Sequence, residues 1–375
     1  MDAGCPVFAG TVRIVSRIAA VATALPSHAY PQEAITELLA PMVTHDVRKQ
    51  ALMRRMHASS QVRTRHLVLP LEEYRDALTF GQTNDRWVAE ATALAESAVR
   101  HALAEARLRP DEVDLIVFTS VTGVSAPSVD ALLVPRLGMR EDVKRMPMFG
   151  LGCVAGASGI ARVHDYLEGH PAGVALLVSV ELCSLTVQRD DDSMDNLVAS
   201  GLFGDGAAAV VLVGAERAAG VDGPDVVATR SRLYPGSGSI IGFRPSETGF
   251  RVILTAGVVD VIDANFAEDA TAFLFEQGLE VPDVSTWIAH PGGPKVLDAF
   301  QRGLGLPTGA LDRSWASMAA VGNLSSSSVL HVLSDELRAT HRPGGFGLLF
   351  ALGPGVSAEL VLLRWPEPAE TLIAA

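Results

Sequence analysis

The chain has 375 residues, of which 48% are hydrophobic and 19% charged, and its formal net charge is −13 at pH 7. This length and composition predict about two domains, or one large duplicated unit, around a sizeable core. The acidic balance argues against a nucleic-acid partner, which needs a basic face. Three scattered cysteines, Cys5, Cys153 and Cys183, cannot form a disulfide framework or a four-ligand zinc site. We therefore expect a reduced, cytoplasmic, metal-free protein.

Apolar runs alternate with helical periodicity through the first half, which predicts an α/β fold. The first apolar run, residues 12–26, is interrupted by Arg17 and is too short to cross a membrane, so it is predicted to be a strand. Helical periodicity follows at about residues 32–58 and 87–106. The segment "DEVDLIVFTSVTG", residues 111–123, is a short apolar strand that runs into a Gly/Ser loop.

The next stretch, "MFGLGCVAGASGIARVHDYL", places Cys153 between small residues at the start of a predicted helix. A free cysteine thiol has a pKa of ~8.5, and a helix N-terminus with a nearby imidazolium lowers that pKa. A cysteine in an apolar run is also a common small core residue. From this stretch alone, a structural thiol and an activated nucleophile both remain open.

The second half repeats the order of elements. "VSTWIAHPGGP" is again a strand entering a Gly/Pro loop, "KVLDAFQRGLGL" is again a helix, and "GNLSSSSVLHVLSDEL" aligns with "GCVAGASGIARVHDYL". This alignment predicts a duplication in which Cys153 and Asn323 occupy equivalent helix starts. Because such starts meet near a pseudo-twofold axis, and His290 follows the preceding strand, we expect the three side chains to converge.

These three residue types suit acyl transfer followed by decarboxylation. A thiolate at Cys153 accepts an acyl group from a thioester. His290 pairs with the thiolate, and its ring N–H, together with the amide N–H of Asn323, forms an oxyanion hole for a developing enolate. Neither donor is a strong base, so loss of CO₂ from a malonyl group fits better than proton abstraction.

The motifs "GLGCVAGASG", "IAHPGGPKVLDAF" and "GNLSSSSVL" resemble the cysteine, histidine and asparagine motifs of type III polyketide synthases, the chalcone/stilbene synthase family. "GLFGDGAAAVVLVG" and "LGPG" resemble two further family motifs, and the likeness spans nearly the whole chain. It implies a thiolase-type αβαβα fold built from two duplicated halves, residues 1–225 with the nucleophile and residues 226–375 with the histidine and asparagine. It also implies a homodimer without a nucleic-acid or membrane partner.

The resemblance implies an acyltransferase whose substrates are acyl-CoA and malonyl-CoA, with no other cofactor. A starter acyl group is loaded onto Cys153, extended by repeated decarboxylative condensation of malonyl-CoA, and cyclised. The segment around Cys183 is most similar to bacterial members, including those that make alkylresorcinols and alkylpyrones. We therefore expect a medium- or long-chain fatty acyl starter. Malonyl-CoA alone, or an aromatic starter, is the alternative, with a tetrahydroxynaphthalene- or dihydroxyphenylacetate-type product.

The family pattern also carries over to the cavity wall and to the CoA site. The implied wall residues are Val121, Cys183, Thr186, Phe203, Val252 and Ser325, and the implied CoA-binding residues are Arg54 and Arg55. Phe203 matches a phenylalanine that guards the path to the cavity. Val252 stands where the family has a second phenylalanine, so we expect one aromatic wall to be missing.

Three other classes share part of this pattern. A single-condensation ketoacyl synthase III-like enzyme has the same types of catalytic residue. A papain-like hydrolase also uses cysteine, histidine and asparagine in this order, but its cysteine lies near the mature N-terminus. A non-enzymatic protein that binds acyl-CoA on the same fold is the third possibility.

Overall fold

A computed structural model describes residues 15–367, so Cys5 lies outside the described residues. The strands are β1 (Ser16–Ala24), β2 (His28–Pro31), β3 (Thr64–Leu67), β4 (Leu115–Thr119), β5 (Lys144–Met148), β6 (Val174–Leu182), β7 (Asp205–Gly214), β8 (Asp225–Leu233), β9 (Ile241–Ser246), β10 (Gly249–Leu254), β11 (Val284–Ala289), β12 (Phe346–Gly353) and β13 (Ser357–Arg364). The helices are α1 (Gln32–Val43), α2 (Val47–Ser59), α3 (Phe80–Glu105), α4 (Val129–Leu137), α5 (Ala155–Glu168), α6 (Met194–Leu202), α7 (Gly257–Val261), α8 (Ala267–Glu276), α9 (Pro294–Gly303), α10 (Asp312–Val321) and α11 (Ser328–Leu337).

Nine strands form one mixed sheet in the order β11-β12-β13-β8-β1-β7-β6-β4-β5. The first half of the chain contributes β5, β4, β6, β7 and β1, and the second half contributes the other four. The two parts join where the start of β1 pairs with the start of β8, at Ser16 with Val226 and at Arg17 with Asp225. The buried Arg17 guanidinium also forms an ion pair with Asp225 at 2.7 Å. Every residue of β6 and β7 is buried, so helices must cover both faces of these strands.

The helices complete five layers. Helices α5 and α11 lie in the middle, where their buried faces share one core with both parts of the sheet. Helices α3 and α4 cover the outer face of the first half, and α8 and α9 cover the outer face of the second half. The predicted α/β class and the αβαβα layering are confirmed. None of the described helices is long and apolar enough to cross a bilayer.

The pairing of Cys153 with Asn323 is wrong at the level of single residues. Helix α5 follows a short 3₁₀ turn over Gly152–Val154, and α11 follows a matching turn over Ser325–Ser327. Cys153 is the middle residue of the first turn, and Ser326 is the middle residue of the second. Because α11 is shorter than α5, an alignment on the helix ends displaces their starts. Asn323 therefore lies just before its turn.

The region predicted as one long helix over residues 32–58 is two helices. Helix α1 ends at Val43, and α2 begins at Val47 after the Asp46 side chain caps it by accepting from the Arg48 N–H. The hairpin of β9 and β10, which was not predicted, forms a separate two-stranded sheet. It supplies one wall of the cavity described below.

A glycine allows the two central helices to approach each other. A Cβ at Gly156 would lie 2.3 Å from the Ser326 carbonyl oxygen and 3.0 Å from Val329 Cγ1. We predict that Gly156→Ala lowers the free energy of unfolding by about 1–3 kcal/mol, because the crossing is overpacked. Denaturant unfolding measures the change. The matched control is Gly81→Ala on α3, where a Cβ meets nothing within 4 Å. It should be neutral or should stabilise by up to about 1 kcal/mol. Equal stability of the two variants would contradict this packing.

Candidate active site

One cavity of about 160 Å³ contains the thiol, imidazole and amide that the sequence singled out. Cys153, His290 and Asn323 all line it. The expected wall residues line it as well: Val121, Cys183, Thr186, Phe203, Val252 and Ser325. The three candidate catalytic residues come from different parts of the chain. They follow β5, β11 and α10 respectively, and the layers place these chain segments together.

Cys153 is half-buried in the turn before α5. Its thiol donates to the Ser325 hydroxyl across 3.6 Å. A side chain at the preceding Gly152, whose φ is +58°, would collide with the Pro354 ring at 2.6 Å. Burial raises the pKa of Cys153 to about 12, although the bond to Ser325 opposes this shift. The sequence-based expectation was a lowered pKa, so desolvation outweighs the helix terminus here.

His290 is a buried imidazole at the end of β11. Its backbone N–H donates to the Phe350 carbonyl at 2.9 Å, which fixes the residue against β12. Neither ring nitrogen has a hydrogen-bond partner within residues 15–367. Burial lowers the pKa of His290 to about 3, so the ring is neutral at physiological pH. The expected imidazolium is therefore not the favoured state of the closed cavity. A neutral ring still supplies one N–H donor and one acceptor.

Asn323 is oriented by its own neighbours. Its carbonyl Oδ1 accepts from the Ser325 N–H at 2.8 Å and from the Ser328 hydroxyl at 3.3 Å. The amide nitrogen Nδ2 therefore points the other way and donates to the Gly292 carbonyl through a long bond of 3.4 Å. Since Gly292 follows His290 by two residues, the amide N–H group lies beside the histidine loop. This orientation suits an oxyanion donor.

Glu181 supports the cavity wall from behind, a role that sequence reasoning missed. This fully buried carboxylate accepts hydrogen bonds from the Thr122 hydroxyl, the Val121 N–H and the Ser326 hydroxyl. Burial raises its pKa, and the hydrogen bonds from Ser326, Val121 and Thr122 oppose that shift. A glutamate inside the apolar run "ALLVSVELC" was the available signal, because charged residues are buried only when they are partnered.

The β9–β10 hairpin forms an aromatic wall. Val252 lies directly across from Phe243 in the hairpin, and Phe250 lines the cavity two residues before Val252. The rings of Phe243 and Phe250 pack at a centroid distance of 4.7 Å, and Phe149 packs against both. The expectation that an aromatic wall is missing is therefore wrong. Neighbouring positions of the same hairpin provide the rings.

The two candidate CoA-binding arginines lie outside the cavity, on α2. Arg54 forms a two-pronged ion pair with Glu37 on α1, at 2.6 and 2.8 Å. Arg55 is exposed. No cluster of metal-ligating side chains occurs in the part of the chain that the structure describes.

Comparison with known proteins gives matches over most of the chain. The family model for chalcone and stilbene synthases, N-terminal domain, matches residues 10–217, and the C-terminal model matches residues 225–366. A protein of Streptomyces peucetius subsp. caesius named 1,3,6,8-tetrahydroxynaphthalene synthase is 54% identical over 93% of each chain. An alpha-pyrone synthesis polyketide synthase-like protein of Mycobacterium tuberculosis is 30% identical over 93% of this chain and 91% of that relative. The crystal structure of 1,3,6,8-tetrahydroxynaphthalene synthase from Streptomyces coelicolor A3(2) superposes with a TM-score of 0.88. It is 31% identical and covers 94% of this chain and 100% of that one.

The cavity geometry makes a prediction about Cys153 reactivity. Burial disfavours an isolated thiolate, whereas transfer of the thiol proton to His290 would create two charges that attract each other. Removing the imidazole in His290→Asn should therefore shift the alkylation of Cys153 by iodoacetamide to higher pH. Peptide mass spectrometry identifies the alkylated cysteine and separates Cys153 from Cys183. Superimposable pH–rate profiles for the wild-type protein and the variant would show that His290 does not assist the thiol.

Proposed function

This chain belongs to the chalcone and stilbene synthase family and is a type III polyketide synthase. From this premise we propose that it uses malonyl-CoA as both starter and extender and forms a tetrahydroxynaphthalene-type product. The observation that carries the proposal is the 54% identity, over 93% of both chains, to the relative named for that product. The alpha-pyrone relative is less similar, at 30% identity. The comparisons therefore favour the malonyl-only alternative over the fatty acyl starter expected from sequence.

The cavity has room for a short starter. Its volume is about 160 Å³, whereas sites for drug-sized ligands have volumes of roughly 300–1,000 Å³. A malonyl unit needs little room at the thiol and leaves the rest for the growing chain.

Loading begins at Cys153. His290 takes the thiol proton, the sulfur attacks the thioester carbonyl, and the C–S bond to CoA breaks as the new C–S bond forms. The departing CoA thiolate accepts a proton from His290. Thiolate and imidazolium thus exist only while substrate fills the cavity, which agrees with burial favouring both neutral groups. Exchange of one thioester for another is nearly balanced in free energy.

Extension uses the two neutral donors. When a second malonyl-CoA loses CO₂, the C–C bond electrons form an enolate whose oxygen is negative. One ring N–H of His290 and the Nδ2 amide of Asn323 donate to that oxygen. The enolate carbon then attacks the acyl group on Cys153 and expels the thiolate. Because His290 remains neutral, it does not hold the malonyl carboxylate as a salt bridge, which would oppose decarboxylation.

The surrounding walls would shape cyclisation and binding. We assign the growing chain to the space among Phe203, Val252, Val121, Thr186 and Ser325. Cys183 is assigned to the same wall because it lines the cavity, and burial raises its pKa well above the usual thiol value.

The CoA moiety is assigned to the α2 face. Arg55 is exposed there and is the better placed of the two arginines. Arg54 would have to release Glu37 before it could hold a phosphate. Both remain in the proposal as CoA ligands.

We also propose a homodimer of chains whose two halves, residues 1–225 and 226–375, are duplicated units. The edge strand β5 supports this assembly. It ends one side of the main sheet, and Met146 on it and Phe149 just after it are 40% and 54% exposed. An uncovered sheet edge with exposed large apolar side chains is typical of an interface.

Product analysis with malonyl-CoA as the sole thioester tests the proposed function. We predict an aromatic product in which every carbon derives from malonyl units, detected with ¹³C-labelled substrate by mass spectrometry. Cys153→Ala should abolish it because no acyl chain can be held, whereas the control Cys5→Ser should retain it. A requirement for a second acyl-CoA would exclude malonyl priming. A single condensation per product would favour the ketoacyl synthase III-like alternative, and hydrolysis of peptides would favour the papain-like one.

A further inference from the structure

Arg65 on β3 is a buried cation in the cavity wall. Its side chain is only 2% exposed, and the residue lines the same cavity as Cys153. One end of the guanidinium is used: Nη1 donates to the Ser200 carbonyl at 2.8 Å and to the Phe203 carbonyl at 2.9 Å. These bonds hold the guanidinium at the C-terminal end of α6.

The other edge of the Arg65 guanidinium has no partner. Nε and Nη2 are buried and form no hydrogen bond within the described residues. The same edge binds carboxylates elsewhere in this protein: Arg17 grips Asp225 through Nε and Nη2 at 2.7 and 3.1 Å, and Arg54 grips Glu37 in the same way. A buried charged donor without an acceptor is costly. The unpaired edge is therefore a ready-made fork for a carboxylate.

The nearby carboxylate does not fill this fork. Asp205 attracts Arg65 electrostatically, but its two oxygens accept from the Ser184 N–H, the Ser184 hydroxyl and the Val68 N–H. Asp205 and Arg65 are buried near each other, so their opposite charges compensate, but no hydrogen bond connects the two side chains. The donors of Arg65 thus remain available to a ligand.

The fork is held close to the catalytic residues. A Cβ at Gly322 would lie 3.2 Å from Arg65 Cγ, so the arginine stem packs against the residue that precedes Asn323. The backbone of Asn323 is in turn bonded to both neighbours of Phe203, because its N–H donates to the Leu202 carbonyl and its carbonyl accepts from the Gly204 N–H. Arg65 and the oxyanion donor therefore share one rigid support.

We propose that Arg65 recognises the free carboxylate of a malonyl starter through Nε and Nη2. This inference rests on the proposed function, because only a malonyl starter presents such a group at the loading step. The extender carries the same carboxylate, but it is common to synthesis from every starter. During loading, the sulfur of Cys153 replaces the CoA sulfur at the thioester carbon, the thiol proton passes to the released CoA, and the distal carboxylate stays intact against the guanidinium. An acyl-CoA without a carboxylate would leave the fork unpaired, so Arg65 selects the starter.

The test compares two starters that share the same extender. Wild-type protein and Arg65→Gln are supplied with malonyl-CoA alone, or with hexanoyl-CoA plus malonyl-CoA, and products are quantified by mass spectrometry. Loss of the charged hydrogen bonds should lower malonyl-primed synthesis about 10- to 100-fold relative to hexanoyl-primed synthesis. Arg65→Lys retains the charge without the fork and should fall between. Lysine also serves as the test variant if the glutamine variant does not fold.

The outcomes separate this role from others. An equal decrease with both starters would overturn the proposal. It would indicate that Arg65 acts through its α6 contacts alone, through the extender carboxylate that both reactions share, or through the ketone oxygens that both growing chains carry. An unchanged ratio would overturn it as well. If wild-type protein makes no product from malonyl-CoA alone, the proposed function fails first, and this result is distinct from malonyl priming that is insensitive to Arg65.

Discussion

The buried carboxylate of Glu181 is the interaction on which the geometry of the site depends. Glu181 is the penultimate residue of the apolar strand β6. Its oxygens accept from the loop after β4, at Ser120, Val121 and Thr122, and from Ser326 before α11. One side chain therefore joins the first half of the chain to the second at the cavity. The positions of the walls around the thiol follow from these bonds. A carboxylate that accepts so many donors acts as a structural centre even though it touches no reacting atom.

Desolvation then determines how charge is used. The layers that bury Glu181 also bury His290 and half-bury Cys153, so the thiol and the imidazole are both favoured in their neutral forms. In the proposed mechanism, charge separates only as substrate arrives, and the fixed amide of Asn323 donates to the developing charge without reorganisation. The same burial surrounds Arg65, whose charge is permanent. This arrangement of a neutral thiol, a neutral imidazole and one cation with unpaired donors is the basis for the proposed malonyl starter, which brings its own negative charge.

Much of this could be predicted from the sequence. Alternating strands and helices identified the α/β class, and the family resemblance implied its layers. The repeated element order indicated that Cys153, His290 and Asn323 would meet. The predictions that failed depended on local geometry. The alignment of Cys153 with Asn323 rested on a few identities near the ends of two helices of unequal length. The matching turns before these helices show that Ser326 is the counterpart of Cys153. The sequence predicted one helix over residues 32–58, because the short loop between α1 and α2 hardly disturbs the apolar periodicity.

The rest of the site depends on contacts between distant segments. Nothing near Val252 in sequence says which residue faces it, so the aromatic wall supplied by Phe243 required the hairpin pairing. Glu181 lies in a segment that has the pattern of an ordinary strand, and no element was predicted from the sequence around Arg65. Their roles come from partners far along the chain, or from the lack of one, and only the folded arrangement identifies them. The pKa of Cys153 was predicted in the wrong direction, because the sequence indicates a helix start but not how deeply the thiol is buried.

The central claim is that Cys153 carries a malonyl starter while the neutral donors drive decarboxylation. Intact-protein mass spectrometry of Asn323→Ala, mixed rapidly with malonyl-CoA, tests it directly. Without the amide donor the enolate is poorly stabilised, so we expect a malonyl adduct on Cys153 that persists with its carboxylate attached. An unmodified Cys153, or an adduct on another residue, would show that Cys153 does not carry the starter.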